Sequence, residues 1–165
     1  MPISEGSLKA YLSGGSSNDD PLLSLGGDPS STTVPTGLFD PVNGDESAIG
    51  DISYRLFYVK NESTNEDGWI NPVMWIDEES VVAGYAFALA AAGKNGSEDP
   101  VDDEATAPAG VSFASPTTKA DGIALPDGPY LQNDFVGIWV RRTVPAGAPS
   151  ADSDPIVFAI EGDTV

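Results

Sequence analysis

Large apolar side chains recur at every second position in several short runs of the chain beyond residue 50. In the run 52–60, for example, Tyr54, Leu56 and Tyr58 alternate with residues that would face the other way. A period of two places one set of side chains on each face of a β-strand. The pattern predicts strands at 52–60, 69–76, 81–90, 111–114, 122–125, 135–144 and 156–161.

The segment 81–90 allows two interpretations. Its many alanines favour a helix, because alanine is the best helix former. The large side chains of Tyr85, Phe87 and Leu89 nevertheless keep a period of two, and we therefore predict a strand. Pro72 interrupts the run 69–76 and indicates an edge position or a bulge, since proline cannot donate a ladder hydrogen bond.

About seven short strands separated by turn residues are typical of an antiparallel β-sandwich. The predicted fold class is therefore all-β, an immunoglobulin-like or jelly-roll-like antiparallel sandwich. Trp75 and Trp139 fall in the middle of predicted strands and are expected to anchor the core. The chain has no cysteine, so the disulfide of immunoglobulin domains is missing and only the architecture can be inferred.

The first 50 residues have a different character. Proline, glycine and turn pairs such as those at 20–21, 26–27 and 43–44 are dense, which prevents long helices and interrupts strand ladders. The segment also carries large apolar side chains, which a free linker lacks: Leu8, Tyr11, Leu12, Leu22, Leu23, Leu25, Leu38 and Phe39. We predict an extended arm at 1–50 in front of a sandwich domain at 51–165. Its apolar side chains dock either on this protein's own domain, with a first strand at 8–12, or on another chain.

Charge and composition exclude several classes of function. Asp and Glu total 26 against 7 Lys and Arg, a formal net charge of -19, which opposes binding to nucleic acids and to anionic membranes. The absence of histidine and cysteine removes the usual ligands of zinc, haem and iron–sulfur clusters, and the Ser-His-Asp and Cys-His catalytic groups. We expect no cofactor, no metal and no enzyme activity.

The sequence also bears on where the protein is made. Residues 1–6 lack both the basic start and the apolar run of a signal peptide. The run of small and apolar residues at 81–93 is too short for a membrane span, which needs about 20 residues. We therefore expect synthesis in a host cytoplasm.

Acidic residues offer two kinds of chemistry. Asp102, Asp103 and Glu104 could supply oxygen ligands for Ca²⁺, but no acidic cluster has the spacing of a calcium-binding loop, and solvated loops are the alternative interpretation. A pair of carboxylates can also hydrolyse glycosidic bonds when one of them lies in a dry pocket. Glu161 is the one acid inside a strongly apolar strand pattern; an outward-facing position near the C-terminus is the alternative.

Aromatic side chains offer a surface for sugars. Trp69, Tyr85, Tyr130 and Trp139 could form a stacking platform. Trp69 follows Gly68 at the start of a predicted strand, where we expect the greatest exposure. The alternative is that these side chains fill the core, as strand aromatics commonly do.

Arg141 and Arg142 lie side by side in a predicted strand, and Arg55 is the only other arginine in the chain. Adjacent strand residues point to opposite faces, so the two guanidinium groups have different partners. We expect one to pair with a carboxylate of this chain and the other to contact an acidic neighbouring subunit, where it would relieve repulsion between copies. Two solvated edge charges are the alternative.

Two stretches of the chain resemble small structural proteins encoded by tailed bacteriophages. The first is LKAYLSGG at 8–15, continuing through DDP at 19–21 to SLGG at 24–27, and the second is VRRTVPAGA at 140–148. The resemblance implies a virion component without enzyme activity, a capsid decoration (cement) protein that binds the outer capsid surface and stabilises the shell. The implied partner is the major capsid protein, and the implied location is the capsid exterior. Capsid geometry and symmetry favour a homo-oligomer, with a trimer at a local three-fold axis as the simplest form.

Under this hypothesis the arm and one arginine strand make the contacts with the partner. The residues assigned to partner binding are Leu8, Tyr11, Leu12, Leu22, Leu23, Leu25, Arg141 and Arg142. An arm that orders on assembly loses conformational entropy, so its Leu and Tyr anchors must more than offset that loss. The alternative function is a glycan- or host-surface-binding sandwich module of a phage tail or a cell surface.

Overall fold

The structure is a computed structural model that describes residues 5–64, 68–152 and 156–164. Within these residues eight strands form two antiparallel sheets: β1 (Leu8–Ser13), β2 (Pro29–Thr33), β3 (Asp51–Asn61), β4 (Trp69–Glu78), β5 (Ala86–Lys94), β6 (Ile123–Ala124), β7 (Phe135–Val144) and β8 (Val157–Thr164). The larger sheet has the order β2-β1-β3-β7-β5 and the smaller one the order β6-β4-β8. The predicted all-β antiparallel sandwich is confirmed.

The connections between the strands carry little helix. One α-helix, α1 (Gly44–Ile49), lies before β3, and short 3-10 turns lie at Glu5–Ser7, Pro21–Leu23 and Lys119–Asp121. None of the helices in the described part of the chain is long and apolar enough to cross a membrane.

The centre of the larger sheet is the pair of β3 and β7, which run antiparallel along their length. The core lies between the two sheets, where Phe57 of β3 and Val140 of β7 share a cluster with Met74 and Ile76 of β4. The burial of these side chains supplies the main favourable free energy of folding, as it does in most domains.

The other face of the larger sheet is also covered. Tyr54, Leu56 and Trp139 lie on this face and pack against Val101 and Val111 from the long acidic loop between β5 and β6. Because both faces are covered, every residue of β3 from 53 to 59 is buried, and four large apolar residues follow one another at 56–59.

Three of the predicted strands differ from those observed. The strand predicted at 81–90 begins only at Ala86 and extends to Lys94, because Gly84 has a φ of 90° and turns the chain there. At 111–114 the structure has no strand; Ala114 alone forms a bridge, to Leu89. The strand predicted at 122–125 shortens to the two residues of β6.

The two tryptophans expected in the core have different positions. Trp139 is buried, as predicted. Trp75 is only partly buried, and its indole Nε1 donates a hydrogen bond to Asp77 Oδ1 at 3.3 Å. Met74 and Ile76, the residues on either side of it in β4, take the inward, buried positions instead. The bulge expected at Pro72 is present, because the pairing of β4 with β8 shifts register between residues 70 and 73.

The N-terminal segment is extended, but its described part belongs to the sandwich. β1 pairs antiparallel with β3, from Leu8 opposite Asn61 to Leu12 opposite Phe57, and β2 pairs with β1. The predicted boundary at residue 50 is therefore corrected, since it does not separate an arm from a domain. Docking on the protein's own domain, with a first strand at 8–12, is the arrangement observed. Residues 1–4 of the predicted arm lie outside the described residues.

Loops continue the edge of β3 beyond the end of β1. The backbone N–H of Leu56 donates to the carbonyl of Ser24 at 2.8 Å, and that of Tyr54 donates to the carbonyl of Glu104 at 2.7 Å. Buried backbone groups need such partners. The two loops thus complete the hydrogen bonding of the central strand.

Glycine in this segment serves close packing. Gly26 has a φ of 119°, and a Cβ at this position would lie 2.5 Å from the Cα of Pro100. The next residue, Gly27, donates its N–H to the Glu98 carbonyl at 2.7 Å. The glycine at this position of the predicted extended arm thus lets two backbone segments pack against each other.

Leu12→Ala should lower the free energy of unfolding by about 2–5 kcal/mol, because it leaves a cavity at a fully buried site in β1. The matched control Leu23→Ala should change it by less than about 0.5 kcal/mol, since Leu23 is 61% exposed. Urea unfolding followed by tryptophan fluorescence measures both variants. Equally small effects would show that β1 is not an integral part of the folded domain.

Candidate functional site

The leucines assigned to partner binding fall into two groups. Leu12 is fully buried, and Leu8 and Leu25 are partly buried, all within the fold of this chain. Leu22 and Leu23 are exposed in the short turn Pro21–Leu23. The partner-binding role of Leu12 is therefore corrected, because its side chain fills the interior and is inaccessible to another chain.

Tyr11 is partly exposed, and its hydroxyl has a partner in its own chain. The hydroxyl donates to Glu62, whose other carboxylate oxygen lies 2.9 Å from Lys9 Nζ. The Lys60 ammonium lies 5.9 Å from the centre of the Tyr11 ring. The hydrogen bond from Tyr11 lowers the pKa of Glu62 and raises the pKa of Tyr11 itself. Tyr11 thus fastens β1 to the residue that follows β3.

Two arginine side chains are buried at one end of the core. Arg55 on β3 and Arg142 on β7 are 1% and 2% exposed. The Arg142 guanidinium donates to the Asp40 carbonyl at 2.6 Å and to Ser53 Oγ at 3.1 Å, and its Nη2 lies 3.4 Å from Asp40 Oδ1. Arg55 forms ion pairs with Glu104 and, at 3.6 Å, with Asp40.

Phe39 completes this arrangement, which we call the arginine cluster: Arg55, Arg142, Asp40, Glu104 and Phe39. The centre of the Phe39 ring lies 4.9 Å from Arg142 Cζ and 5.5 Å from Arg55 Cζ, a separation at which a cation is attracted to an aromatic face. A buried charge without a partner is very costly. The cluster therefore holds the connection between β2 and α1 against the larger sheet.

The adjacent arginines have different environments, as predicted. Arg142 pairs with carboxylates of its own chain, which confirms the internal pairing expected for one of them and corrects its assignment to partner binding. Arg141 is partly buried, with its Cζ 5.3 Å from the centre of the Phe113 ring. A contact between Arg141 and a neighbouring subunit stays a prediction.

Three carboxylates meet beside the arginine cluster. Oxygen atoms of Asp40, Glu46 and Glu104 lie within 4.8 Å of one another. Arg55 pairs with two of them, and Glu46 accepts a hydrogen bond from the Asn43 N–H in the capping box of α1. The chain itself therefore supplies the positive charge and the donors that these carboxylates need.

The acidic residues singled out in the sequence do not assemble into a site. Asp103 Oδ1 accepts from the Thr106 hydroxyl at 2.8 Å, Glu104 turns inward to its arginine, and Asp102 is exposed. These three side chains do not form a ligand group like the one beside the arginine cluster. Glu161 is exposed and pairs with a lysine, which confirms its outward-facing interpretation.

The aromatic platform predicted from the sequence is wrong. Trp69, Tyr85, Tyr130 and Trp139 are all buried and belong to three different core clusters. Trp69 and Tyr130 share one of them, with ring centres 5.7 Å apart. The alternative interpretation, that these side chains fill the core, is confirmed.

Burial has a measurable consequence for two tyrosines. It raises the pKa of Tyr58 and of Tyr130 to about 12 in each case. The Tyr58 hydroxyl donates to the Gly27 carbonyl at 2.6 Å and accepts from the Glu98 N–H at 3.2 Å. The Tyr130 hydroxyl donates to the carbonyl of Pro126.

An apolar groove runs along β8 between the two sheets. It has a volume of about 730 Å³ and is lined by β8, the start of β1 and parts of β3 and β4. It continues into a smaller pocket of about 270 Å³ beneath residues 34–40, since Ala10, Phe57, Ile156 and Phe158 line both spaces. We call the two together the β8 groove.

The floor of the β8 groove is apolar. Its large side chains come from both sheets: Phe57, Val59, Met74, Phe158 and Ile160. Asp77, Glu161 and Lys9 also line the groove, and Val157, another lining residue, is 42% exposed. Phe57, Val59 and Met74 are almost fully buried. The apolar surface that a partner can contact therefore comes from the partly buried side chains of Leu8, Ala10, Phe158 and Ile160. Apolar surface framed by charged residues is typical of an interaction site.

A second concave surface lies on the opposite face of the larger sheet. It has a volume of about 410 Å³ and is lined by Tyr11, Phe135 and Lys60 together with Ser30 and Ser31. We call it the Tyr11 surface. Rings beside hydroxyl and ammonium groups offer both apolar contact and hydrogen bonds.

No family model, no curated protein and no solved structure matches this chain.

The raised tyrosine pKa values predict how the fold responds to alkali. Between pH 10 and about 12 the unfolded chain releases protons that folded Tyr58 and Tyr130 retain, so stability is present below pH 10 and falls as the pH rises through this window. Tyr130→Phe should make that fall shallower and remove one late step from a titration of tyrosinate absorbance. Ionisation of all tyrosines near pH 10 would contradict the buried positions.

The shared carboxylate of the arginine cluster gives a further prediction. Asp40→Ala should lower the free energy of unfolding by about 3–5 kcal/mol, because it leaves buried guanidinium groups short of a partner. The control Asp102→Ala removes an exposed carboxylate and should change stability by less than about 0.5 kcal/mol. Thermal and urea unfolding measure both; a stable Asp40→Ala variant would show that Asp40 is not needed to compensate the arginines.

Proposed function

We propose that the protein is a non-enzymatic structural component of a tailed-bacteriophage virion, a decoration protein that binds the outside of the capsid and stabilises the shell. The observation that carries the proposal is the β8 groove, a concave surface with partly exposed apolar side chains on a chain of net charge -19. Covering apolar surface with a partner is favourable. The resemblance of 8–27 and 140–148 to small phage structural proteins supports the same role.

In this proposal the domain docks as a preformed body. β1 is a strand of the larger sheet and Leu12 is internal, so β1 is not a strap that becomes ordered on the capsid. A surface that is ordered before binding loses less conformational entropy than a flexible arm. The exposed pair Leu22 and Leu23 offers a smaller apolar contact of the same preformed kind.

The charged side chains support a structural role over a catalytic one. Arg55 and Arg142 face carboxylates of the same chain, and Glu161 faces Lys119 at the surface. Hydrolysis by a pair of carboxylates needs one acid in a dry pocket. The arginine cluster is instead an internal fastening between loops and sheet.

The proposed partner is the major capsid protein. Each copy of the chain carries a net charge of -19, so copies repel one another at short range, and less so at higher salt. A lattice of binding sites can hold such copies at fixed distances. We therefore place the proposed trimer at a local three-fold axis, with its symmetry set by the shell beneath it.

The second candidate function is the binding of a glycan on a host surface. The four aromatics considered for it are buried, but the Tyr11 surface combines three rings, those of Tyr11, Tyr58 and Phe135, with serine hydroxyls and a lysine. This surface favours sugar binding more than any of the predicted positions does. Its location on the larger sheet, away from the β8 groove, lets the two functions be tested separately.

Sedimentation with capsid shells tests the proposed function. The purified protein is mixed with empty shells of a tailed bacteriophage that encodes it, and the shells are pelleted and imaged by cryo-electron microscopy. We expect saturable co-sedimentation, added density on the outer surface and a higher melting temperature of the shell. The proposal fails if the protein stays in the supernatant at every concentration; glycan binding that Tyr11→Ala removes would then establish the alternative.

A further inference from the structure

We propose that the β8 groove binds an extended, basic segment of a partner protein, which adds to β8 as a further strand of the smaller sheet. This inference deepens the proposed function and rests on it, because it names the chemistry of the partner segment. Four properties of the groove carry it: the free strand edge, the apolar floor, the acidic surroundings and the self-repulsion of the chain.

β8 is an edge strand. It pairs with β4 from Val157 opposite Glu78 to Thr164 opposite Trp69, and it is last in the order β6-β4-β8 of the described sheet. An edge strand presents backbone N–H and C=O groups that a further strand can pair with. Such pairing requires an extended partner and supplies affinity through main-chain hydrogen bonds.

The floor of the groove selects the side chains of that partner. Leu8, Ala10, Phe158 and Ile160 line the groove and are partly exposed. The Phe158 ring packs on the buried ring of Phe57, with ring centres 5.7 Å apart. Successive side chains of a strand point to opposite faces. A strand added to β8 therefore directs every second side chain toward this apolar floor, and those side chains must be apolar.

The other side chains of the added strand meet an acidic surface. Glu161 and Asp163 belong to β8 and are exposed, and Asp77 of β4 lines the groove. Lys119 already pairs with Glu161, and Lys9 pairs with a glutamate at 2.9 Å. Among the described residues Asp77 and Asp163 form no salt bridge, so these two carboxylates carry the uncompensated negative charge of this surface. The outward positions of the partner strand are therefore best filled by lysine or arginine.

The same charges argue against a second copy of this chain in the groove. A β8 strand from another copy would bring its own Glu161 and Asp163 to the interface, and the two chains would each carry a net charge of -19. Like charges placed opposite each other across strands are destabilising. A basic segment removes this repulsion and adds attraction that weakens with salt.

Peptide binding tests the inference without the capsid. The probe is a fluorescent peptide of alternating lysine and valine, seven residues long, and two controls of the same length replace valine by serine or lysine by glutamate. We expect the lysine–valine peptide to bind at least tenfold more tightly than either control, and to slow hydrogen exchange at 157–164. Equal binding of the lysine–serine peptide would reduce the interaction to charge alone and overturn the inference.

A matched pair of variants locates the binding site. Val157→Lys places a positive charge in the groove at an exposed position, whereas Val81→Lys makes the same change at an exposed position away from it. We expect Val157→Lys to weaken binding of the lysine–valine peptide at least tenfold and Val81→Lys to leave it within twofold. Equal effects of the two variants would overturn the inference. It would also be overturned if sedimentation velocity showed that the protein self-associates and that this self-association alone slows hydrogen exchange in β8.

The same two variants separate this inference from the proposed function. If Val157→Lys loses both the peptide and the capsid shells while Val81→Lys keeps both, the groove is the docking surface. Shell binding that survives Val157→Lys would overturn the groove as docking surface and leave the decoration role standing. Peptide binding by a protein that never binds shells would overturn the decoration role and leave the strand-binding groove.

Discussion

The pairing of two buried arginines with acidic loops is the constraint on which the rest of this structure depends. Arg55 and Arg142 belong to the central strands β3 and β7, whereas Asp40 and Glu104 come from connections that are distant in the sequence. Once guanidinium groups lie inside the core, carboxylates must come to them, because an unpaired buried charge is far more costly than an ordered loop. Such a cluster adds little stability over a well-packed apolar core. Its effect is to decide where the loops lie, and it thereby shapes the end of the β8 groove beneath residues 34–40.

The local pattern of the sequence was sufficient for the central strands and insufficient for the strand pairing of the N-terminal segment. Closely spaced large apolar residues predict β3 and β7, whose side chains pack on both faces of one sheet. The pairing of β1 with β3 joins residues about fifty positions apart, and no periodicity within eight residues encodes such a partner. Glycine-rich turns at 1–50 contributed to the prediction of an extended arm. In the structure a Cβ on Gly26 would lie only 2.5 Å from the backbone of another segment, so glycine is needed there for close packing. Because glycine has no side chain, it is flexible in the unfolded chain and also allows two backbones to pack closely in the folded protein.

The candidate site was the least predictable part, for a physical reason. Sequence reasoning finds functional residues by their chemistry, and it therefore selected aromatics, carboxylates and arginines. In this fold the four aromatic rings and the Arg142 side chain are buried in the interior of the protein and are not available to a ligand. The β8 groove is made of ordinary apolar residues, and what distinguishes it is the absence of a neighbouring strand on one side of β8 among the described residues. No local signal in the sequence marks this edge, because Val157, Phe158 and Ile160 form one apolar run, and the exposure of Val157 is seen only in the structure.

A strongly acidic domain binds tightly to a larger assembly when two conditions hold. Its attraction to the partner acts at short range, and positive charge on the partner compensates the domain's negative charge. Apolar contact and backbone hydrogen bonds act over a few ångströms and change little with salt, whereas the field of a -19 chain extends for about a Debye length, roughly 8 Å at physiological salt. Copies that dock through the proposed groove at that distance or more would therefore repel one another only weakly. The same balance keeps unbound copies apart, because the groove that would attract a second molecule is surrounded by charges that repel it. In the proposed interaction a preformed groove and a large negative charge therefore act together, because the groove attracts a basic strand while the charge opposes self-association.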